Sequence, residues 1–279
     1  MTHKQVSIII PIYNEANCLR DCLASLEKQS YQDLEIIIVD DGSTDNSIEI
    51  AKKFKVKVLT QRHKGPGTAR NLGASIARGE ILVFVDSDMT FEKDFIKDLT
   101  KPIILGQTIG TFSKNEFVSN SNNPWSVCWN LNRNTPKNRM LPDKYPNTAP
   151  VFRAILKSEF DKVKGFETSG DYTDDWSISQ KLNIKSTLAK GAIYYHSNPG
   201  NLKEIWRQAR WIGKNKFITG NFARKVKSLV VYSPLAACGV GVYKSMRFVN
   251  FRFIIFKIIY NSAVFVSVLG SFWYQSRYK

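Results

Sequence analysis

The chain has 279 residues, a length that fits one large domain or two modest ones, and its 43% hydrophobic and 23% charged residues are ordinary for a globular protein. Its formal net charge of +16 argues against a plain solubility role and favours an anionic partner, either nucleic acid or an anionic membrane surface. The basic excess lies in the C-terminal part, because Glu204 is the only acidic residue from Leu202 onward.

The cysteines and histidines argue against a structural zinc site, since no two cysteines have C-x-x-C spacing and the histidines are scattered. Cys18 and Cys22 lie four residues apart on a predicted helix and are interpreted as small core residues. Reduced thiols of this kind fit a cytosolic setting. A strand begins at Val6, so we expect no signal peptide before it.

The N-terminal third alternates between strand and helix patterns. Strands are predicted at residues 6–10, 34–39, 56–59 and in the apolar run that ends at Asp86, and helices at residues 17–29, 43–54 and 69–76. This alternation predicts an α/β fold with a mostly parallel sheet and right-handed crossovers. Ligands of such sheets bind beyond the carboxyl ends of the strands.

Polar motifs follow three of these strands, at residues 11–15 (PIYNE), 40–42 (DDG) and 86–88 (DSD). Asp86 and Asp88 are separated by one residue, so in an extended chain their carboxylates point the same way. They can then converge on one hard cation whose other ligands are phosphate oxygens. An Asp-x-Asp pattern alone is weak, but three polar motifs at successive strand ends predict one shared crevice.

The pattern becomes looser at residues 101–150, which we interpret as short strands and a surface loop with aromatic residues. Trp125 and Trp129, four residues apart, fit either a helical hydrophobic contact or a surface that stacks on a sugar or lipid. Further strands are predicted at residues 152–156 and 192–196, with a helix that starts near Asp174. Carboxylates at a helix N-terminus are also stabilised by the helix dipole, which is the alternative role for Asp174.

The C-terminal part, after an amphipathic helix at residues 202–212, is apolar and basic. Residues 253–273 approach the length of about 20 apolar residues that spans a bilayer, but Lys257 and several polar residues favour an interfacial or re-entrant segment. Cations and aromatic residues flank the segment, as anionic headgroups require: Lys244, Arg247, Arg252, Trp273, Tyr274, Arg277, Tyr278 and Lys279. A buried helix or a dimer interface is the alternative.

The motifs resemble those of a known family when they are taken in order: VSIIIPIYNE at residues 6–15, IVDDGS at 38–43, GTARNLG at 67–73, VDSD at 85–88, GFE at 165–167 and DDW at 174–176. Together they closely resemble the family 2 inverting glycosyltransferases over roughly residues 6–215. The resemblance implies a GT-A fold. It also implies transfer of a sugar from a nucleotide diphosphate to an acceptor hydroxyl, or to a lipid phosphate, with inversion at the anomeric carbon.

The resemblance assigns donor-binding roles to five residues. Pro11, Tyr13 and Glu15 would line the nucleotide pocket, and Asp41 would accept a hydrogen bond from the base. Arg70 would contact the diphosphate from the start of its helix. The alternatives are an Asx turn for Asp41, a helix-start carboxylate for Glu15 and a solvated surface cation for Arg70.

The resemblance also implies a divalent metal and a general base. Asp86 would lie near the ribose and the metal, and Asp88 would ligate Mg²⁺ or Mn²⁺, which stabilises the charge on the departing diphosphate. Asp175 would take the proton of the acceptor hydroxyl, and Asp174 stands where the family usually has Glu. His196 either completes the metal coordination or is a satisfied histidine at a strand end.

These roles lead to an expected domain plan and to alternatives. We expect a glycosyltransferase domain at residues 1–215 and a membrane-associated region at 216–279, on the cytoplasmic face of a membrane. The acceptor would be a glycan or a lipid-linked molecule, and no nucleic acid is expected.

Processive relatives carry Gln-x-x-Arg-Trp, whereas here Gln208 and Arg210 are one residue too close, which favours transfer of a single sugar. A polyprenyl-phosphate sugar synthase, a nucleotidyltransferase and a non-catalytic nucleic-acid-binding or membrane-binding module are the alternatives.

Overall fold

The structure is a computed structural model that describes residues 4–168 and 174–273. The chain divides into two compact units. Unit 1 comprises Met1–Phe117 and Lys144–His196, and unit 2 comprises Val118–Asp143 and Ser197–Lys279. This division differs from the expected boundary after residue 215, because the helix that follows residue 201 packs within unit 2.

Unit 1 is built around mixed β-sheet. Its strands are β1 (Val6–Ile12), β2 (Leu34–Asp40), β3 (Lys57–Thr60), β4 (Ile81–Phe84), β5 (Met89–Phe91), β6 (Gly110–Phe112), β7 (Asn115–Val118, whose last residue begins unit 2), β8 (Thr148–Ala149), β9 (Ala154–Leu156), β10 (Ser186–Leu188) and β11 (Ile193–His196). Its helices are α1 (Leu19–Glu27), α2 (Ser47–Ala51), α3 (Pro66–Ile76), α4 (Phe95–Ile104), α6 (Lys157–Lys162) and α7 (Asp174–Leu182). The predicted strands and helices of the N-terminal third are all present, with shifted ends.

The large sheet has the strand order β3-β2-β1-β4-β9-β6-β10-β8, and a second sheet has the order β5-β11-β7. The four N-terminal strands are parallel, as predicted, but β9 runs antiparallel to β4 and β6. Central strands of a parallel sheet are covered on both faces, which explains why β1 and β4 are almost entirely apolar and buried.

Helix α3 packs close to this sheet and carries the Arg70 side chain. A Cβ at Gly73 would lie 2.6 Å from Ile9 Cγ2, so only glycine allows the helix to approach the strand at that point. The other buried positions of α3 include Ala69 and Ala74, which are also small. The small residues therefore set how closely α3 lies against β1.

Unit 2 is helical. It contains α5 (Pro124–Arg133), α8 (Leu202–Gly213), α9 (Lys216–Thr219), α10 (Phe222–Val231), α11 (Pro234–Phe248) and α12 (Arg252–Gly270). Helix α5 occupies part of the stretch that we expected to be strands and loop. Asn123 caps this helix by accepting hydrogen bonds from two backbone amides, and Pro124 is suited to its first turn. Trp129 is buried and makes edge contacts with Phe256 and Tyr260, so the helical interpretation of this tryptophan is confirmed.

Helix α12 is the central helix of unit 2. Its buried residues pack against α5 and α8: Phe253, Phe256, Tyr260, Ala263, Val264 and Val268. Within the described residues, α12 is the single helix long and apolar enough to cross a membrane by itself, with a mean hydropathy of 1.9. The predicted interfacial segment at residues 253–273 thus has one face inside the unit, and Tyr274, Arg277, Tyr278 and Lys279 lie outside the described residues.

Candidate active site

The carboxyl ends of β1, β2 and β4 lie at one edge of the large sheet. Ile9 of β1 pairs with Ile37 of β2 and with Phe84 of β4, so the three strands end side by side. The Asp41 amide donates to Ile12 O at 2.8 Å, which joins the first two strand ends directly. The three polar motifs predicted to share a crevice therefore follow neighbouring strands.

The motif after β1 is held against the turn after β2. Asn14, in the left-handed region with φ of 57°, accepts a hydrogen bond from the Thr44 amide at 2.8 Å. The Glu15 amide donates to Ser47 Oγ at 2.9 Å. The Tyr13 ring lies on the His63 ring with 4.1 Å between centroids, and Pro11 is half-buried in β1. Pro11, Tyr13 and Glu15 thus lie at the end of β1 that adjoins the turn after β2.

The Asp41 carboxylate is buried and surrounded by donors. Its Oδ1 accepts from Gln61 Nε2 at 2.7 Å and from the Lys64 amide at 2.8 Å, and its Oδ2 accepts from the Gly65 amide at 2.9 Å. His63 Nδ1 lies 3.0 Å from the same Oδ2. Asp41 therefore organises the loop that leads into α3. A nucleotide base that forms a hydrogen bond with Asp41 would have to replace Gln61 or His63 as its partner.

Arg70 connects two carboxylates. Its Nη2 donates to Asp86 Oδ1 at 2.8 Å and its Nη1 donates to Asp175 Oδ1 at 2.6 Å, while its guanidinium lies over the Phe166 ring. Burial disfavours the charged guanidinium, but the charges of Asp175 and Asp86 outweigh this and raise the pKa of Arg70. In the described residues Arg70 Nε is buried without a hydrogen-bond partner. Arg70 is a buried link between two acids and not a solvated surface cation.

Asp86 has a second cationic neighbour that the sequence analysis missed. Arg153 Nη1 lies 3.5 Å from Asp86 Oδ2 and from Phe84 O, and its guanidinium lies 5.7 Å from the centroid of the Tyr194 ring. Burial favours the neutral form of Asp86, but Arg70 and Arg153 together hold the pKa of its carboxyl well below the usual range. Arg153 directly precedes β9, and it comes close to Asp86 because β9 pairs antiparallel with β4. This pairing cannot be read from the local sequence, where Arg153 looks like a surface arginine.

Asp88 lies in a second charged group. His196 Nε2 is 3.1 Å from Asp88 Oδ2, and His196 Nδ1 is 2.9 Å from Glu116 Oε1. Burial disfavours the imidazolium, but the two carboxylates outweigh it and raise the pKa of His196 well above its ordinary value. Tyr194, whose hydroxyl interacts with both Arg153 and Glu116, links this group to Asp86. Glu116 was also missed by the sequence analysis, since it lies in the loosely patterned stretch.

The Asp88 group fits a divalent cation that is bound together with phosphate. Among the described residues, Asp88 Oδ1 is buried and has no hydrogen-bond partner, so it is available as a ligand. Both oxygens of Asp86 face arginines, which leaves Asp88 as the better ligand of the pair. No set of three or more His, Cys, Asp or Glu side chains in residues 4–168 and 174–273 could hold a metal by itself. Mg²⁺ and Mn²⁺ commonly bind through one or two carboxylates plus substrate phosphates, which agrees with this arrangement.

Asp175 is in the first turn of α7 and is half-exposed. One of its oxygens accepts from Arg70, and no other described group bonds the second oxygen. The side chain of the neighbouring Asp174 lies outside the described residues. The structure therefore brings Asp175, Arg70 and Asp86 together.

A turn before α7 is clamped to α3 by Asn71, another residue that the sequence analysis did not single out. Asn71 Nδ2 donates to Phe166 O at 2.9 Å, and Asn71 Oδ1 accepts from the Phe166 amide at 2.8 Å. Gly165 has φ of 71°, and a Cβ there would lie 2.3 Å from Asn71 Oδ1. The GFE motif is therefore a structural element that ties the segment before Asp175 to the helix of Arg70.

Comparisons with known proteins identify the family of the chain. A model of the family described as glycosyl transferase family 2 matches residues 7–164. Glycosyltransferase GlyG of Streptococcus pneumoniae serotype 4 is 43% identical over 266 residues, which cover 88% of this chain and 85% of that protein.

Solved structures share the fold. Mannosyltransferase PcManGT from Pyrobaculum calidifontis, in complex with GDP-Man and Mn²⁺, has a TM-score of 0.62 and 17% identity and covers 98% of this chain and 88% of its own. Residues 1–349 of S. aureus TarS in complex with UDP-GlcNAc have a TM-score of 0.57 and 20% identity, covering 82% of this chain and 70% of that one. The chain spans 55% of the longer TarS chain.

At such identities the likeness establishes the GT-A fold predicted above. The extent of the family match, together with the likeness to GlyG over most of both lengths, shows that the chain belongs to glycosyl transferase family 2 and is a glycosyltransferase.

Proposed function

We propose that the protein is an inverting glycosyltransferase that moves a single sugar from a nucleotide-diphosphate sugar to an acceptor hydroxyl. The observation that carries the proposal is the link from Asp175 through Arg70 to Asp86, with Asp88 close by in sequence at the same strand end. A direct displacement needs a base on one side of the anomeric carbon and charge stabilisation on the other. Asp175 would be the base, and Asp88 would hold the divalent cation that stabilises the charge on the leaving diphosphate.

In the proposed reaction the acceptor hydroxyl gives its proton to Asp175. The acceptor oxygen then forms a bond to the anomeric carbon while the bond from that carbon to the diphosphate oxygen breaks. The nucleoside diphosphate leaves with the electron pair of the broken bond, and the configuration at the anomeric carbon inverts. Arg70 holds Asp175 and Asp86 in fixed positions relative to each other, which is the orientation that a single-step transfer requires.

A divalent cation, Mn²⁺ or Mg²⁺, would bind at Asp88 with the donor diphosphate, Asp86 lying alongside, and would neutralise charge on the leaving group. The free Oδ1 of Asp88 supports this assignment. His196 would remain paired with Glu116 and orient Asp88 through the other ring nitrogen.

The donor is proposed to be a UDP-sugar, with GDP- and dTDP-sugars as alternatives. TarS has been solved with UDP-GlcNAc and PcManGT with GDP-Man, so both bases occur among proteins of this fold. Pro11, Tyr13, Glu15 and Asp41 would form the base-binding end of the pocket.

The acceptor is proposed to be a glycan or a lipid-linked molecule at the cytoplasmic face of a membrane, where the basic and apolar C-terminal helices would hold the enzyme.

The test is a panel of nucleotide sugars incubated with the full chain and Mn²⁺, in which transfer and donor hydrolysis are both measured. Asp88→Ala should lose metal-dependent donor binding. Asp175→Asn should keep donor binding in calorimetry and lose transfer by at least about a hundredfold. The anomeric configuration of the product, read by NMR, separates inversion from retention. Near-normal transfer by Asp175→Asn, or a retained configuration, would contradict the proposed mechanism.

The same panel separates the alternatives. A polyprenyl-phosphate sugar synthase would use a lipid phosphate as acceptor and would not glycosylate hydroxyl acceptors.

Chelation of the metal with EDTA should abolish donor binding and transfer together, and Mn²⁺ should restore both. Transfer that is unchanged in EDTA would remove the metal from the proposal.

A further inference from the structure

Two helices of unit 2 expose apolar side chains along one face each. On α10 these are Phe222, Val226 and Val230, which recur every four residues and therefore share a face. On α11 they are Leu235, Val242 and Met246, whose spacings of seven and four residues also place them on one face. We call these six residues the α10–α11 stripe. Phe222 is 73% exposed, Leu235 86% and Met246 71%, which is unusual for residues of this size.

The opposite faces of these helices are already used. Ser228 of α10 is buried, and so are Ala237, Gly241 and Ser245 of α11. A Cβ at Gly241 would lie 3.4 Å from Ile254 Cα of α12, which shows how closely the two helices pack. The small residues therefore turn one side of α11 toward α12 and leave the large apolar residues on the outside.

The charges around the stripe are of one sign. Lys227, Arg247 and Arg252 are exposed, and the sequence has no acidic residue after Glu204. A second copy of the same surface would bring cations against cations, which disfavours a symmetric dimer. A nucleic acid would suit the cations but would not cover a row of large apolar side chains. An anionic lipid surface satisfies both features, because acyl chains take up the apolar residues and headgroups pair with Lys and Arg.

The geometry favours a helix pair that lies along the membrane. Together α10 and α11 are apolar enough to pass as one span, but they are bent by 49° at the break formed by Tyr232 and Ser233, directly before Pro234. The stripe lies on an exposed side of each helix, and the buried small residues of the opposite side pack within unit 2. Such one-sided helices insert to the level of the headgroups instead of crossing the bilayer.

From these observations we infer that the α10–α11 stripe is the surface by which the enzyme binds an anionic membrane, and that α12 acts as its internal support. The inference rests on the proposed membrane location and names a different surface from the segment at residues 253–273. It explains why α12, although the most apolar helix, has so many of its large side chains buried.

The experiment is flotation of the purified full chain with vesicles of phosphatidylcholine, either alone or mixed with phosphatidylglycerol. The wild type should float with the anionic vesicles and much less with the neutral ones, and high salt should reduce its binding. Leu235→Ser combined with Met246→Ser should lower the vesicle partition coefficient at least about tenfold, since each large apolar side chain contributes that much to transfer from water. Lys227→Gln with Arg247→Gln should weaken binding to anionic vesicles only.

A control is Leu105→Ser, which removes a 51% exposed apolar side chain from unit 1 and should float like the wild type. Circular dichroism and transfer to a water-soluble acceptor check that each variant is folded and active. Equal flotation of the stripe variant and the wild type would overturn the inference. So would a wild type that binds no vesicles but forms dimers that the stripe variant has lost. Transfer to the water-soluble acceptor by variants that no longer float would show that glycosyl transfer does not depend on membrane binding.

Discussion

Arg70 and Asp175, separated by 105 positions in the chain, are joined by a 2.6 Å hydrogen bond from Nη1 to Oδ1. The other terminal nitrogen of the same guanidinium reaches Asp86 at 2.8 Å. The proposed general base and the carboxylate at the donor side are therefore positioned by one cation. A planar group with several donors in a fixed geometry can connect two carboxylates in this way, whereas a lysine ammonium is a point charge on a flexible stem.

The first prediction concerns this link. Arg70→Met should destabilise unit 1 by about 2 kcal/mol, because it removes the cation that pairs with Asp175 and leaves Asp86 with the longer contact to Arg153. Arg70→Lys should restore part of the stability but little of the turnover, since it cannot hold both acids at once. Chemical denaturation and kcat measured on the same preparations separate the two effects.

The control for this prediction is a double-mutant cycle. In an Asp175→Asn background the cost of Arg70→Met should be smaller, because one of the two unpaired charges is already gone. Strictly additive effects would show that the two side chains are not coupled in solution.

The second prediction concerns the turn at Gly165. Gly165→Ala should destabilise the protein by roughly 2–4 kcal/mol, because it adds an unfavourable φ of 71° to a direct clash with Asn71. Gly106→Ala is the matched control, since its φ is 68° and its Cβ would meet nothing within 4 Å. The control should cost only about 1 kcal/mol. Equal unfolding midpoints for the two variants would contradict the proposed clamp.

The third prediction is a pH dependence of stability that originates at Glu35. Burial favours the neutral acid, but donors from Lys57, Ser7 and the Arg78 amide outweigh it and lower the pKa of Glu35 from 4.5 to about 2. Because the folded-state pKa is the lower one, the stabilisation is complete above about pH 4.5 and is lost as the pH falls toward 2. Glu35→Gln should therefore cost about 2 kcal/mol at neutral pH and progressively less in acid.

Urea denaturation at several pH values measures this difference. Glu80→Gln serves as the comparison, because Glu80 is largely exposed and pairs with Lys4 at the surface. Its removal should change stability by less than about 0.5 kcal/mol. A Glu35→Gln penalty that does not shrink between pH 5 and pH 2 would rule out Glu35 as the source.

The fourth prediction tests the core of unit 2. Trp129→Ala should cost about 3–5 kcal/mol, because it removes a buried ring that contacts Phe256 and Tyr260. Trp206→Ala removes a ring that is 38% exposed and should cost clearly less. Limited proteolysis, with cleavage sites in unit 2 identified by mass spectrometry, reports the local opening. Similar protection of the two variants would mean that Trp129 lies outside the core.

Much of the site was predictable because its residues follow directly from local patterns. An apolar run that ends in Asp86 and Asp88 identifies a buried strand and its polar end without any knowledge of the fold. The same holds for the motif after β1 and for Asp41, since each follows a strand that is apolar on both faces. Arg153, Glu116 and Asn71 could not be found in this way, because each reaches the site through strand pairing or helix packing between segments distant in sequence.

The sequence by itself determined the order of strands and helices in the N-terminal third, the family, and the carboxylates at the strand ends, because periodicity and motif spacing are local properties. Only the tertiary structure decided which partner each charge has. It joined Asp175 to Asp86 through Arg70, and it paired Asp88 with His196. It also placed one face of the apolar residues of α12 inside unit 2 and left those of α10 and α11 outside. Hydropathy counts apolar residues along the chain, whereas burial depends on which helix occupies the centre of the packed unit.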